Sequence, residues 1–105
     1  MGIRGERVRE LKEKFDPVVI QRDDNRCFIC GSRANDVHEI ISKSQFSTSE
    51  LEKCITPQNM VSLCRMHHSI SQGNKQASAN LLRALAERYG YEYTEYPFSW
   101  YVVEE

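Results

Sequence analysis

The sequence predicts a small α+β domain held by a zinc site, with two short strands near its centre and helices on the flanks. Three observations carry that expectation. Cys27-Phe-Ile-Cys30-Gly31 and Cys64-Arg-Met-His67-His68 form two short ligand hooks that enclose 33 residues. Val37–Ile41 and the stretch from Pro57 to Leu63 are short, apolar and bounded by polar turns, as strands are. Leu81, Leu85 and Tyr89 recur at helical spacing, with Leu82 and Ala86 beside them.

Taken in order, Val8, Leu11 and Phe15 stand at helical intervals among charges, which predicts an amphipathic helix over residues 3–15 stopped before Pro17. Val18-Val19-Ile20 continues the core, and Gln21 to Asn25 reads as a polar turn into the first hook. Cysteines three apart at a tight turn can grip one ion, and Gly31 suits such a knuckle. A second pair completes the tetrahedron that Zn²⁺ prefers, here with Cys27, Cys30, Cys64 and His67 as donors. The strand at 37–41 carries His38 and Glu39, and residues 42–49 form a polar loop. The segment from Pro57 to Leu63 is a turn and second strand, able to pair with the first as a long-looped hairpin. A helix begins near Cys64 or Arg65. The next helix spans 75–89, with Asn74 as its N-cap and Gly90 as its stop. The aromatic tail of Tyr91, Tyr93, Tyr96, Phe98, Trp100 and Tyr101 either adds a strand or packs across the core, and packing is the preferred reading. Cys54 lies outside both hooks and reads as a small buried apolar residue without chemistry.

Length and composition bound the function. A chain of 105 residues is one domain, parsed as an N-terminal helix and lead-in (1–20), a zinc-held centre (24–73) and a C-terminal helix with the aromatic tail (74–105). No apolar run approaches the ~20 residues that span a bilayer, so membrane insertion is not expected. The charged start, Met1-Gly-Ile-Arg-Gly-Glu-Arg, lacks the apolar core of a secretory signal, and the expected compartment is a reducing cytoplasm where CxxC and CxxH bind metal rather than pair as disulfides. The net charge of −1 does not favour nucleic acid. From Glu92 onward, however, there are four glutamates and no Lys or Arg, so the remaining 91 residues carry +3 and can present a basic face.

Four features follow one another: Cys27-x-x-Cys30, Val37-His38-Glu39-Ile40-Ile41, Asn59-Met-Val-Ser-Leu63, and Cys64-x-x-His67-His68. Their order and spacing resemble the zinc-bearing members of the HNH nuclease family, from Asp24 to about Gly73, half of the chain. The resemblance implies a ββα-metal (His-Me finger) fold. It makes Cys27, Cys30, Cys64 and His67 the structural zinc ligands, with His67 where the family more often has cysteine. His38 and His68 become ligands of a catalytic divalent ion such as Mg²⁺, Mn²⁺ or Ni²⁺, and Asn59 the residue that orients the site through its amide. Lys43, Arg65 and Lys75 are candidate phosphate contacts.

Glu39 departs from the pattern, because the family usually places there the histidine that acts as general base. A glutamate is about two pKa units less basic than histidine. Alignment on the following isoleucines keeps Glu39 in the base position, which requires burial to raise its pKa. Glu39 as a metal ligand beside His38, a slipped register with His38 as base and Asp36 as ligand, and loss of catalysis stay open. Strand alternation, which puts Asp36 and His38 on one face, favours the slip. The activity implied is metal-dependent hydrolysis of DNA phosphodiesters, with a nick as the elementary product and relaxed sequence preference. The rival is a zinc-stapled DNA- or protein-binding module without catalysis. Compact proteins of this family are common in bacteriophage and mobile-element genomes, which implies a bacterial host cytoplasm and DNA-processing proteins as partners.

Overall fold

In the computed structural model of the chain, which describes residues 2–102, a long helix and two strands form the frame on which the hooks and the remaining helices are hung. The order is α1 (Ile3–Arg22), β1 (Asp36–Glu39), α2 (Leu51–Cys54), β2 (Met60–Leu63), α3 (Arg65–Ser71), α4 (Lys75–Tyr89) and α5 (Phe98–Val102). Short 3-10 turns at Lys43–Gln45, Thr48–Glu50 and Pro57–Asn59 punctuate the connection between the strands. The expected loop at 42–49 is therefore partly ordered into turns, one of them closed by Ser47 and Glu50 in a capping box.

The two strands pair antiparallel with Asp36 opposite Leu63 and His38 opposite Val61. β1 ends at Glu39, two residues short of the predicted strand, while Ile40 still bonds through its N–H to the Asn59 carbonyl. β2 is buried along its whole length, and Met60, Val61 and Leu63 sit in one core with Val19, Ile41, Leu51, Leu82 and Leu85.

α1 does not stop before Pro17. It runs on to Arg22 with the proline inside it. An internal proline costs a helix about 3 kcal/mol, through a lost hydrogen bond and a ring clash. Here Pro17 lies on the exposed face. The residues beyond it are anchored. Val19 is completely buried, worth roughly 1.5–3 kcal/mol. Arg22 donates to the carbonyls of Pro57 and Met60, both at 2.8 Å. Tertiary packing outweighs the local penalty. The helix then closes through Asp23, whose carboxylate takes the Ser62 N–H at 2.9 Å and the Tyr89 hydroxyl at 3.0 Å, and Asp24 and Asn25 make the left-handed turn that short polar side chains tolerate.

α4 has the expected bounds. The Asn74 side chain accepts from the Ala77 N–H, Leu81, Leu82 and Leu85 are buried, and Gly90 at φ 79° ends the helix. The aromatic tail adds no strand among the described residues. Tyr93 is buried and donates to the Gln58 carbonyl at 2.6 Å, and Phe98 in α5 packs on Tyr93 and Phe46. Glu104 and Glu105, half of the acidic tail, and Met1 lie outside the described residues.

Candidate functional site

The first hook is shaped by its own backbone: the Cys27 carbonyl accepts from the Gly31 N–H at 2.8 Å, and Gly31 takes φ 78°, a left-handed value that favours glycine. The Phe28 N–H bonds to the Ser62 carbonyl and fixes the hook against β2. The second hook is the entrance to α3. Cys64 is its N-cap residue and His67 lies within the first turn, so their side chains share a face.

Cys27, Cys30, Cys64 and His67 lie close together and could bind a metal such as zinc, their donor atoms all within 4.8 Å of one another. Cys30 Sγ is 3.9 Å from Cys64 Sγ, and His67 Nδ1 is 3.3 Å from Cys64 Sγ and 3.6 Å from Cys27 Sγ. A tetrahedral zinc would set sulfurs about 3.8 Å apart and sulfur about 3.5 Å from nitrogen, so the donor set fits. Two thiols are primed for a cation. A hydrogen bond from the His67 backbone pulls Cys64 down to about 7, and the Ser32 hydroxyl 3.0 Å from Cys30 Sγ favours its thiolate. All four cysteines are free of disulfides, and Cys54 is apart from the cluster, fully buried, its thiol pushed up to about 12 by burial.

His67 and His68 are adjacent in α3, so one helical turn serves two places. His67 joins the thiols, whereas His68 faces β1 and lines a cleft of about 430 Å³ together with His38, Glu39, Lys43 and Lys12. The rings of His38 and His68 stand edge to face with centroids 5.0 Å apart. His68 Nδ1 is 3.0 Å from Asp36 Oδ2. That contact, with help from Arg65, holds the Asp36 carboxyl below its usual range, so Asp36 is the acceptor and Nδ1 carries the proton. His38 is buried, and its Nε2 has no hydrogen-bond partner among the described residues. Burial, assisted by the neighbouring His68, pushes the His38 imidazole down to about 4, which leaves it neutral near pH 7.

Glu39 does not meet the condition set for it as a base. Burial alone would raise its carboxyl, but Lys12 at 2.8 Å and Lys43 at 2.9 Å outweigh burial, and the net displacement is downward. The correction follows from α1, which brings Lys12 to the strand. Lys12 is shared with Asp16 at 3.5 Å. Lys12 is also the cleft residue that sequence reasoning missed, and nothing at position 12 distinguishes it from the other cations of α1.

Asn59 is fully buried, and its amide accepts from the Ile41 N–H at 2.9 Å and donates to the carbonyls of Ile41 and Cys54. It therefore fastens the end of β1 to the start of β2, holding the segment that carries His38 and Glu39. Of the proposed phosphate contacts, Lys43 faces the cleft. Arg65 is exposed and pairs with Asp36 at 3.1 Å, and Lys75 is stacked 3.3 Å from the centroid of Trp100. Among the described residues no helix is long and apolar enough to cross a membrane. Comparison of the chain with protein-family models, curated proteins and solved structures gave no match.

Proposed function

We propose that this protein is a metal-dependent DNA endonuclease of the HNH type, built on a ββα-metal core with zinc in the cysteine-histidine cluster. The observation that carries the reading is the meeting of His38 and His68 in one cleft, the first with a buried, unpartnered Nε2 and the second with its Nδ1 engaged by Asp36. A metal-binding histidine commonly gives its other ring N–H to a carboxylate, as His68 does. The unpartnered nitrogen of His38 is the kind of buried polar atom that a ligand satisfies.

A divalent ion such as Mg²⁺, Mn²⁺ or Ni²⁺ held by His38 and His68 would supply positive charge to the phosphodiester and its departing oxygen. Asp36 keeps the His68 proton on Nδ1 and leaves Nε2 as the lone-pair nitrogen. In this reading Glu39 accepts the proton of the attacking water once the bound phosphodiester has drawn Lys12 and Lys43 away from it, and Asn59 keeps its strand end in place. One such site acts on one strand at a time, so the product of a single event is a nick. DNA-processing proteins of a phage or mobile element are the fitting partners, in a bacterial host cytoplasm.

A second reading, a zinc-stapled binding module without catalysis, is favoured by the two lysines on Glu39, which weaken that carboxylate as a base. Incubation of zinc-loaded protein with supercoiled plasmid in Mg²⁺, Mn²⁺, Ni²⁺ or no added ion separates the two. Nicked circles that require an ion and are lost in His68→Ala, with zinc retained in the variant, are the expected result. Intact plasmid in every lane from folded, zinc-loaded protein would overturn the nuclease reading and leave the binding module.

A further inference from the structure

We infer that Lys12, on the outer helix α1, and Lys43 together form a subsite for the phosphodiester backbone of nucleic acid, and that the Glu39 carboxylate occupies this subsite in the free protein. The inference rests on the nucleic-acid reading above and names the groups that hold the substrate. Lys12 Nζ grips Glu39 Oε2 at 2.8 Å while Lys43 Nζ grips Oε1 at 2.9 Å. Two ammonium groups thus hold the two oxygens of one anion, in the cleft that also contains His38 and His68. A carboxylate and the two non-bridging oxygens of a phosphodiester present a similar pair of acceptors to such a grip. Glu39 is the internal stand-in for the ligand.

Lys12 comes from α1, 27 residues from Glu39, whereas Lys43 follows Glu39 by four. Glu39 is only 11% exposed, whereas the Lys12 and Lys43 side chains are 31% and 43% exposed, so the lysines can turn to an incoming anion while the carboxylate stays at the strand. Asp16, 3.5 Å from Lys12, is the second acid that a phosphate must displace. Lysine serves here as a point charge on a flexible stem, suited to exchanging one oxyanion for another. α1 is thereby part of the substrate site rather than only a docking helix.

Binding of a fluorescein-labelled DNA duplex to the zinc-loaded chain, followed by anisotropy over a salt series without divalent ion beyond zinc, tests this. Each phosphate contact contributes about 0.9 to the slope of log K against log salt. Lys12→Ala is expected to flatten that slope by about 0.9, so that raising salt from 50 to 200 mM costs roughly 3.5-fold less affinity than in the wild type. Lys12→Arg should keep the slope. Glu39→Gln, which vacates the subsite, should tighten binding and steepen the slope, and adding Lys12→Ala to it should remove part of that gain. A wild type that binds DNA with a slope unmoved by Lys12→Ala, or a Glu39→Gln variant that binds no more tightly, overturns the subsite while leaving the nucleic-acid reading in place. Folded wild type that binds no duplex at any salt overturns both. Circular dichroism and zinc content establish that each variant is folded.

Discussion

Asp36 bears on the histidines more than its half-exposed position suggests, because its carboxylate decides which nitrogen of His68 is protonated. Asp36→Asn keeps the shape but weakens that control, and a lost carboxylate behind a metal-binding histidine typically costs 10–100-fold in affinity. On the proposed reading that His38 and His68 hold a divalent ion, calorimetric titration of zinc-loaded protein with Mn²⁺ is expected to show a loss of about that size, with the zinc content unchanged. Glu39 gives a separate reading in stability. Its carboxyl lies below the ordinary value of 4.5 because Lys12 and Lys43 outweigh burial. A depressed carboxyl contributes stability that is present above its unfolded pKa and is lost as pH falls through the folded one. Urea unfolding should therefore show stability falling as pH drops below about 4.5, with a shallower fall in Glu39→Gln. A steeper fall in the variant would contradict the pairing. The Lys12–Glu39 and Asp36–His68 contacts join residues 27 and 32 apart in sequence, so no local pattern announces them, whereas Lys43 lies only four residues from Glu39.

Among the elements, α1 and α4 differ in how far their sequences declare them. α4 carries its own cap, apolar face and glycine stop, and its observed bounds are the expected ones. α1 passes through Pro17 because Val19 and Arg22 find partners on α4, β2 and the turn before β2, and a proline rule knows nothing of those partners. Pro17→Ala restores an exposed hydrogen bond in a helix already held at both ends. The variant should gain roughly 1–3 kcal/mol in chemical unfolding. A loss of stability would mean that the proline is itself making a needed contact. Residues 91–97 show the opposite case. Alternating tyrosines allow a strand or packing across the core, and the preferred packing is what is found: Tyr93 turns inward to Gln58, with no strand at 91–97 among the described residues.

At the scale of the whole molecule, the hooks join the start of α3 to the loop that precedes β1. The two-stranded sheet is too small to hold those segments by itself, since an isolated hairpin is marginal in water. A metal held by the cysteine-histidine cluster would couple to folding. Chelation by a strong zinc chelator should lower the thermal midpoint and abolish any DNA binding, with both restored when zinc returns. A chelated protein with an unchanged midpoint would show that the apolar core suffices. The hooks, the capped helix α4 and the two strands are legible along the chain, because each depends on residue types at short, fixed separations: donors three apart, leucines at helical intervals, an Asn and a Gly at the helix ends. The sequence also placed His38, His68 and Asn59 as residues to watch. The continuation of α1 beyond Pro17, the contact of Asp36 with His68 and the reach of Lys12 to share Glu39 with Lys43 emerge with the folded chain alone. Those outcomes are settled by which groups meet through space, where burial and opposite charge act together regardless of their order along the chain.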